Sequence, residues 1–314
     1  MPFAPLPELK CHFVRLPSRT AAPDGGEQLV MIHGLATNLA FWYAGLAPAL
    51  TRFGSVTLYD LRGHGRSDIT PTGYAPARLA GDLAMLLDHL GLDRVHLIAH
   101  SFGGLVALSF ALAHPTRVKS MVLADVRIPC VQRNLVFAEW SFWTRFRDIF
   151  QKAGITVDES DPHSGLQLLT ALARLQLREA KQARQLGRSI LAEFKDVVAH
   201  ELVSLGGPRS AQRWLTMMET TTAHREVTAG VDFAAADLAR LEQPILALVG
   251  EYTVARASAR ALARHCPRCQ VGVVRRAGHF FPLSRPRAFL LRTERFLLSQ
   301  GFAGADRLPL AADD

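Results

Sequence analysis

The chain of 314 residues has only 5 lysines against 31 arginines, and no basic run exceeds two residues. Its net charge of +8 is therefore scattered rather than gathered. With no aromatic-interleaved basic stripe, nucleic acid is not an expected partner, and the arginines read as solvated surface. Cysteine is scarce too. Cys11, Cys130, Cys266 and Cys269 are too few for a disulfide scaffold in a chain this long. Cys266-Pro-Arg-Cys269 is a lone C-x-x-C with no second pair to complete a zinc site, so reduced thiols are expected, and no metal or cofactor. Unbroken apolar runs are also missing. Residues 29–50 and 97–113 carry no formal charge, but Gly34, Asn38, Gly45 and Pro48 interrupt the first, and Gly103 and Gly104 the second. Both fit a buried strand followed by a buried helix better than a membrane span. The first ten residues hold three prolines and no apolar core of signal-peptide length, which makes the cytoplasm the expected location.

What is present is a repeated alternation. Apolar segments at 27–34, 55–60, 119–125, 244–250 and 270–274 read as buried strands, and so does the run from Val95. Helical stretches separate them: Arg78 to Leu90, Phe102 to His114, Ala255 to His265 and Arg285 to Gln300. Strands alternating with helices imply right-handed crossovers and an α/β fold, a mostly parallel sheet covered on both faces. Reactive groups in such sheets gather at the carboxyl ends of the strands. With 49% hydrophobic and 20% charged residues, the composition is that of an ordinary globular protein, long enough for one core and an inserted subdomain.

The most informative segment is Val95-His96-Leu97-Ile98-Ala99-His100-Ser101-Phe102-Gly103-Gly104, a strand, one serine and a glycine-started helix with no linker. Such a reversal strains its apex residue and pushes that side chain out of the sheet edge. Glycines after Ser101, and small Ala99 before it, leave room where the two backbones crowd. The pattern resembles the G-x-S-x-G nucleophile elbow of the α/β-hydrolase family, with Ala99 in place of the first glycine. His33-Gly34-Leu35 after the first strand and Gly278-His279 after the last extend the resemblance over residues 27–130 and 236–300. It implies Ser101 as nucleophile and His279 as its base, since a serine hydroxyl needs an imidazole to remove its proton. It also implies an oxyanion hole from the backbone N–H groups of Leu35 and Phe102. His33, His64 and His100 read as structural.

The acid departs from the usual family pattern. An aspartate ordinarily follows the penultimate strand, but Gly250-Glu251-Tyr252-Thr253 puts a threonine there. Some members carry the acid after the strand that follows the nucleophile helix, and Leu123-Ala124-Asp125-Val126-Arg127-Ile128-Pro129 resembles that segment. The resemblance therefore implies Asp125. A turn-capping Asp125, with Glu251 or Asp232 orienting the histidine, or no acid at all, stands as the alternative.

Between residues 129 and 235 the alternation stops. Helical spacing covers 131–152, 164–185, 187–204 and 209–222, which is expected to form a helical lid over a core of residues 1–128 and 236–300, with 301–314 as a tail. Phe137, Trp140, Phe142, Trp143, Phe146 and Phe150 lie around too much of the first helix for one narrow stripe. Trp140, Trp143, Phe146 and Phe280 are candidate pocket residues, and an apolar pocket suits a small hydrophobic acyl substrate. The expected function is a serine hydrolase cleaving a carboxylic ester or thioester through an acyl-Ser101 intermediate. The alternatives are a carbon-carbon bond hydrolase of a dienoic ring-cleavage product and a non-catalytic ligand-binding protein on the same scaffold. Oligomeric state is not legible.

Overall fold

The computed structural model describes residues 2–20, 26–43, 45–133, 136–139, 143–152, 154–186 and 207–302. Eight strands form one sheet: β1 (Phe3–Pro5), β2 (Lys10–Leu16), β3 (Gln28–Ile32), β4 (Ser55–Tyr59), β5 (Val95–His100), β6 (Val118–Ala124), β7 (Ile245–Gly250) and β8 (Cys269–Val274). Their spatial order is β1-β2-β4-β3-β5-β6-β7-β8. From β4 to β8 every pairing is parallel, whereas β1 and β2 are antiparallel. The six expected strands are all present, with bounds shifted by one or two residues.

The antiparallel pair at the N-terminus does not stand out in the sequence. Pro2, Pro5 and Pro7 obscure β1, and β2 buries only Cys11, His12 and Phe13 in succession. Its place comes from its ladder to β4, which pairs Phe13 with Tyr59 and Leu16 with Val56.

The central strands are buried along their whole length, as a sheet covered on both faces requires. Two apolar clusters flank it. One packs α3 (Pro76–His89) and α4 (Phe102–Ala113) against Val30, Leu97 and Leu123. The other packs α1 (Ala40–Tyr43), α2 (Leu46–Leu50) and the C-terminal helix Pro286–Ser299 against Met31, Ile98 and Val122. Neighbouring positions of one strand thus feed opposite cores. Phe302, placed by the sequence at the start of a tail, is buried instead, its ring against Phe53 and His96.

The segment between β6 and β7 is helical: α5 (Trp143–Lys152), α6 (Ser164–Leu186), α7 (Pro208–Thr220) and α8 (Ala223–Thr228). The expected helix at 187–204 lies outside the described residues. One continuous helix over 131–152 is not formed, because tertiary bonds override the periodicity at its start. Residues 128–132 turn instead, with Val131 and Gln132 amides donating to the Ile128 carbonyl. The Gln132 side chain accepts from the Ser258 amide and hydroxyl and donates to the Val254 carbonyl. At its other end the segment is moored by Glu226, whose carboxylate accepts the amides of Gly73, Tyr74 and Ala75. No helix among the described residues is long and apolar enough to cross a membrane.

Candidate active site

The site lies on the carboxyl edge of the sheet, where the ends of β5, β6 and β8 present three side chains, β7 lying between the last two. Ser101 follows β5 with φ 54°, a left-handed conformation that its neighbours enforce. Its amide continues the ladder by donating to the Ala124 carbonyl at 2.9 Å. Two residues on, a side chain at Gly103 would meet the His33 carbonyl oxygen at 2.5 Å, so only glycine lets α4 start this close to β3. Asp125 repeats the arrangement one strand over. Its φ is also 54°, and its amide donates to the Leu248 carbonyl at 2.8 Å. His279 arrives on the loop after β8, which packs so tightly on the end of β7 that a side chain at Gly250 would lie 2.5 Å from the Gly278 carbonyl oxygen.

These three elements bring Ser101, His279 and Asp125 together. His279 Nδ1 lies 2.6 Å from Asp125 Oδ2, and Nε2 lies 2.9 Å from Ser101 Oγ. A carboxylate only accepts, so Nδ1 carries the proton and Nε2 accepts from the serine hydroxyl. Asp125 is buried, with its remaining capacity filled: the Gly250 amide donates to Oδ1 at 3.1 Å and the Thr253 hydroxyl to Oδ2 at 2.5 Å. Thr253 thus stands against the aspartate and not the histidine. The alternatives for the acid are engaged elsewhere: Glu251 accepts the Arg276 amide at 2.6 Å, and Asp232 lies 3.5 Å from the Ser109 hydroxyl.

The loop carrying Leu35 is braced on both sides. His33 Nδ1 donates to the Gly34 carbonyl at 2.8 Å while its Nε2 accepts the Leu61 amide at 3.1 Å. His64 Nδ1 donates to the Arg62 carbonyl at 3.0 Å and its Nε2 accepts the Ala36 amide at 3.2 Å. Burial holds both rings neutral, pushing His33 down from its ordinary value and His64 to about 3. The flanking peptides are therefore fixed, and Gly34 is so close to Ser101 that an added Cβ would lie 3.0 Å from the serine Cβ. Phe102 begins α4, so its N–H has no partner within the helix. His100 is buried and stacks on Phe41 at 4.6 Å, and its Nε2 donates to the His279 carbonyl at 3.0 Å. Burial pushes this ring well below its ordinary value as well, so it stays neutral beside His279.

A cavity of about 600 Å³ opens over these groups. Leu35, Ser101, Phe102, Asp125 and His279 line it, together with Trp143 and Phe280 from the expected pocket set. Trp140 lies outside the described residues, as does the side chain of Phe146. Trp143 is buried in a small cluster of its own, its ring against Phe137 at 4.3 Å and Phe150 at 5.7 Å. Sequence reasoning missed three participants: Thr253 as a donor to Asp125, His64 as a brace of the Leu35 loop, and Arg127 in the cavity wall. Thr253 was the findable one. It occupies the usual acid position after β7, and β7 is the sheet neighbour of the strand that ends at Asp125.

The model of the α/β hydrolase fold family matches residues 28–286. The chain belongs to that family. The putative carbamate hydrolase RutD of Variovorax paradoxus (strain S110) is 41% identical over 104 residues, 33% of this chain and 39% of its own length. The chain therefore matches well under half the length of that curated relative. Among solved structures, a bacterial membrane phospholipase A superposes with a TM-score of 0.68 at 18% identity, covering 96% of this chain and 86% of that one. The enol-lactonase of Burkholderia xenovorans LB400 does so with a TM-score of 0.61 at 22% identity, over 95% of this chain and all of that one. At such identities the two structures show the shared fold.

Proposed function

We infer that the protein is a serine hydrolase acting on a small, largely hydrophobic carboxylic ester or thioester. The observation that carries this reading is the continuous hydrogen-bonded line from Ser101 Oγ through His279 to Asp125, 2.9 Å and 2.6 Å long, at the floor of a cavity. In the proposed reaction His279 Nε2 takes the Ser101 hydroxyl proton as Oγ attacks the acyl carbonyl. Negative charge then develops on the carbonyl oxygen, where the amides of Leu35 and Phe102 would receive it. His279 passes its proton to the leaving alcohol or thiol, and the acyl-Ser101 ester remains. Water enters, gives its proton to Nε2, and attacks the same carbonyl. The acid is released and the serine regains its proton.

Asp125 acts in this scheme through the imidazole. It fixes the tautomer with Nδ1 protonated and stabilises the imidazolium of each tetrahedral stage. The helices between β6 and β7 would serve as the lid, with Trp143 and Leu168 giving the cavity an apolar wall. The names of the similar proteins support acyl chemistry in general, since a carbamate hydrolase, a phospholipase and a lactonase share little else in substrate. Chemistry through a carboxylate nucleophile is disfavoured, because the elbow residue is serine.

The test is labelling with a fluorophosphonate probe, followed by a panel of aryl esters, acyl thioesters and dienoates. The expected result is labelling of the native protein and none of Ser101→Ala, with turnover of esters or thioesters. A protein that resists the probe while folded, and cleaves nothing in the panel, would instead be a binding protein on this scaffold.

A further inference from the structure

Arg127 is the only arginine or lysine among the described residues that line the cavity. It follows Asp125 by two residues, on the irregular segment that leaves β6. No carboxylate of the described residues lies within 4.0 Å of its guanidinium, and its one hydrogen bond is a long one, from Nη1 to the Gln132 carbonyl at 3.4 Å. Among the described residues the only carboxylate lining the cavity is Asp125, and its two oxygens are already engaged by His279, Thr253 and Gly250. Arg127 thus stands in the wall of a mostly apolar cavity with one long hydrogen bond for the five donors of its guanidinium fork, a shape suited to a planar acid. Arg127 is half-buried, and a cation even partly withdrawn from water without a counter-charge is costly to keep. Burial pushes its proton affinity below the ordinary arginine value, as that isolation demands.

We propose that Arg127 receives a carboxylate carried by the substrate, so that the acyl compound cleaved at Ser101 is an anion. This rests on the serine-hydrolase reading for the position of the scissile carbonyl. It adds a second anchor: the apolar wall would hold the chain, and Arg127 the charged end. A carboxylate bound bidentately by arginine is fixed in orientation as well as position.

Two matched pairs of esters test it. One is the mono-p-nitrophenyl ester of hexanedioic acid against its methyl-capped diester. The other is the butyrate ester of 4-hydroxybenzoate against that of its methyl ester. In the native protein at least one pair is expected to favour the carboxylate by tenfold or more in kcat/KM, the size of a charge-assisted hydrogen bond. In Arg127→Gln that ratio should fall to near one, and Arg127→Lys should restore part of it. Equal rates within both pairs in the native protein, or a ratio that survives Arg127→Gln, would overturn the proposal.

A binding measurement separates this from the catalytic reading. Monomethyl hexanedioate should bind Ser101→Ala tenfold or more tightly than Ser101→Ala with Arg127→Gln, by titration calorimetry. Equal affinities, or no binding to either, count against the carboxylate site whatever the turnover data say. Binding that depends on Arg127, in a protein that the fluorophosphonate does not label, would remove the hydrolase reading and leave the carboxylate site standing.

Discussion

The floor and the roof of the cavity are built by different means. On the floor, Ser101, Asp125 and the loop carrying His279 continue the hydrogen-bond pattern of β5, β6 and β8, and the side chains of Ser101, His279 and Asp125 have partners at 2.5–3.1 Å. On the roof, Trp143, Phe150 and Leu168 are held by packing alone, in a cluster separate from both sheet cores. Directional bonds on a register-locked sheet fix positions to fractions of an ångström, which proton transfer needs. Dispersion contacts fix volume and polarity, which is enough to select a substrate. On the proposed reading, chemistry is thus tied to the strands, and selectivity is free to vary with the helices.

The sharpest way to break that contrast is at the floor. Ser101→Ala and His279→Ala should each lower kcat on a reactive ester by about 10⁴- to 10⁶-fold, and the double variant should be no slower than either, because the pair acts as a unit. Thermal unfolding of Ser101→Ala should be unchanged within a degree or two, since the truncation opens no cavity in the core. Next in size is Asp125→Asn, expected to cost about 10⁴-fold in kcat through the wrong imidazole tautomer. Glu251→Gln, in contrast, should lose less than about tenfold, as expected for a group outside the proposed triad. A reversed order in stopped-flow or steady-state rates would move the acid to the other loop.

The roof should respond differently. Trp143 is buried among Phe137, Phe150 and Leu168, so Trp143→Ala is expected to destabilise by about 3–5 kcal/mol. At a temperature where the variant stays folded, its main kinetic effect should be a raised KM. A fall in kcat as deep as that of Asp125→Asn would mean that the roof takes part in the chemistry.

A smaller effect concerns pH. His64 is pushed by burial from the ordinary 6.5 to about 3, and His96 to about 4. Both bind protons more readily in the unfolded chain. Their neutral burial therefore costs nothing above pH 6.5, and stability is lost as pH falls from there towards 4. Between pH 7 and pH 5 each should remove about 2 kcal/mol, read as a falling urea midpoint. His64→Gln, which keeps an acceptor for the Ala36 amide, should flatten that slope. Smaller again, Thr253→Val removes one of the donors to Asp125 and should lower kcat by about tenfold, with Thr253→Ser close to native. An unchanged kcat in Thr253→Val would make that hydroxyl a bystander.

Local rules made much of this molecule legible in one dimension. Val95 to Gly104 announces a strand, an apex and a close-packed helix, because a sharp reversal at Ser101 admits only small residues around it. The buried parallel strands are equally plain, since a strand covered on both faces must be apolar throughout. The antiparallel β1 and β2 were not legible, because a short edge pair draws its order from the strand beside it. Nor was the turn at 128–132, where Gln132 trades helical periodicity for bonds to Ser258 and Val254.

By itself, then, the sequence determined the fold class, the serine at the elbow and the histidine after the last strand, because each rests on neighbours in the chain. Only the tertiary structure decided how Asp125 is held and what stands beside it. Asp125, Gly250 and Thr253 are more than 120 residues apart in part, and meet because β6 and β7 are paired in register from Met121–Ile245 to Ala124–Leu248. Whether Arg127 has a partner was likewise a question of space. The chain has 28 acidic residues, and only the folded arrangement shows that none of the described ones lies within 4.0 Å of this guanidinium.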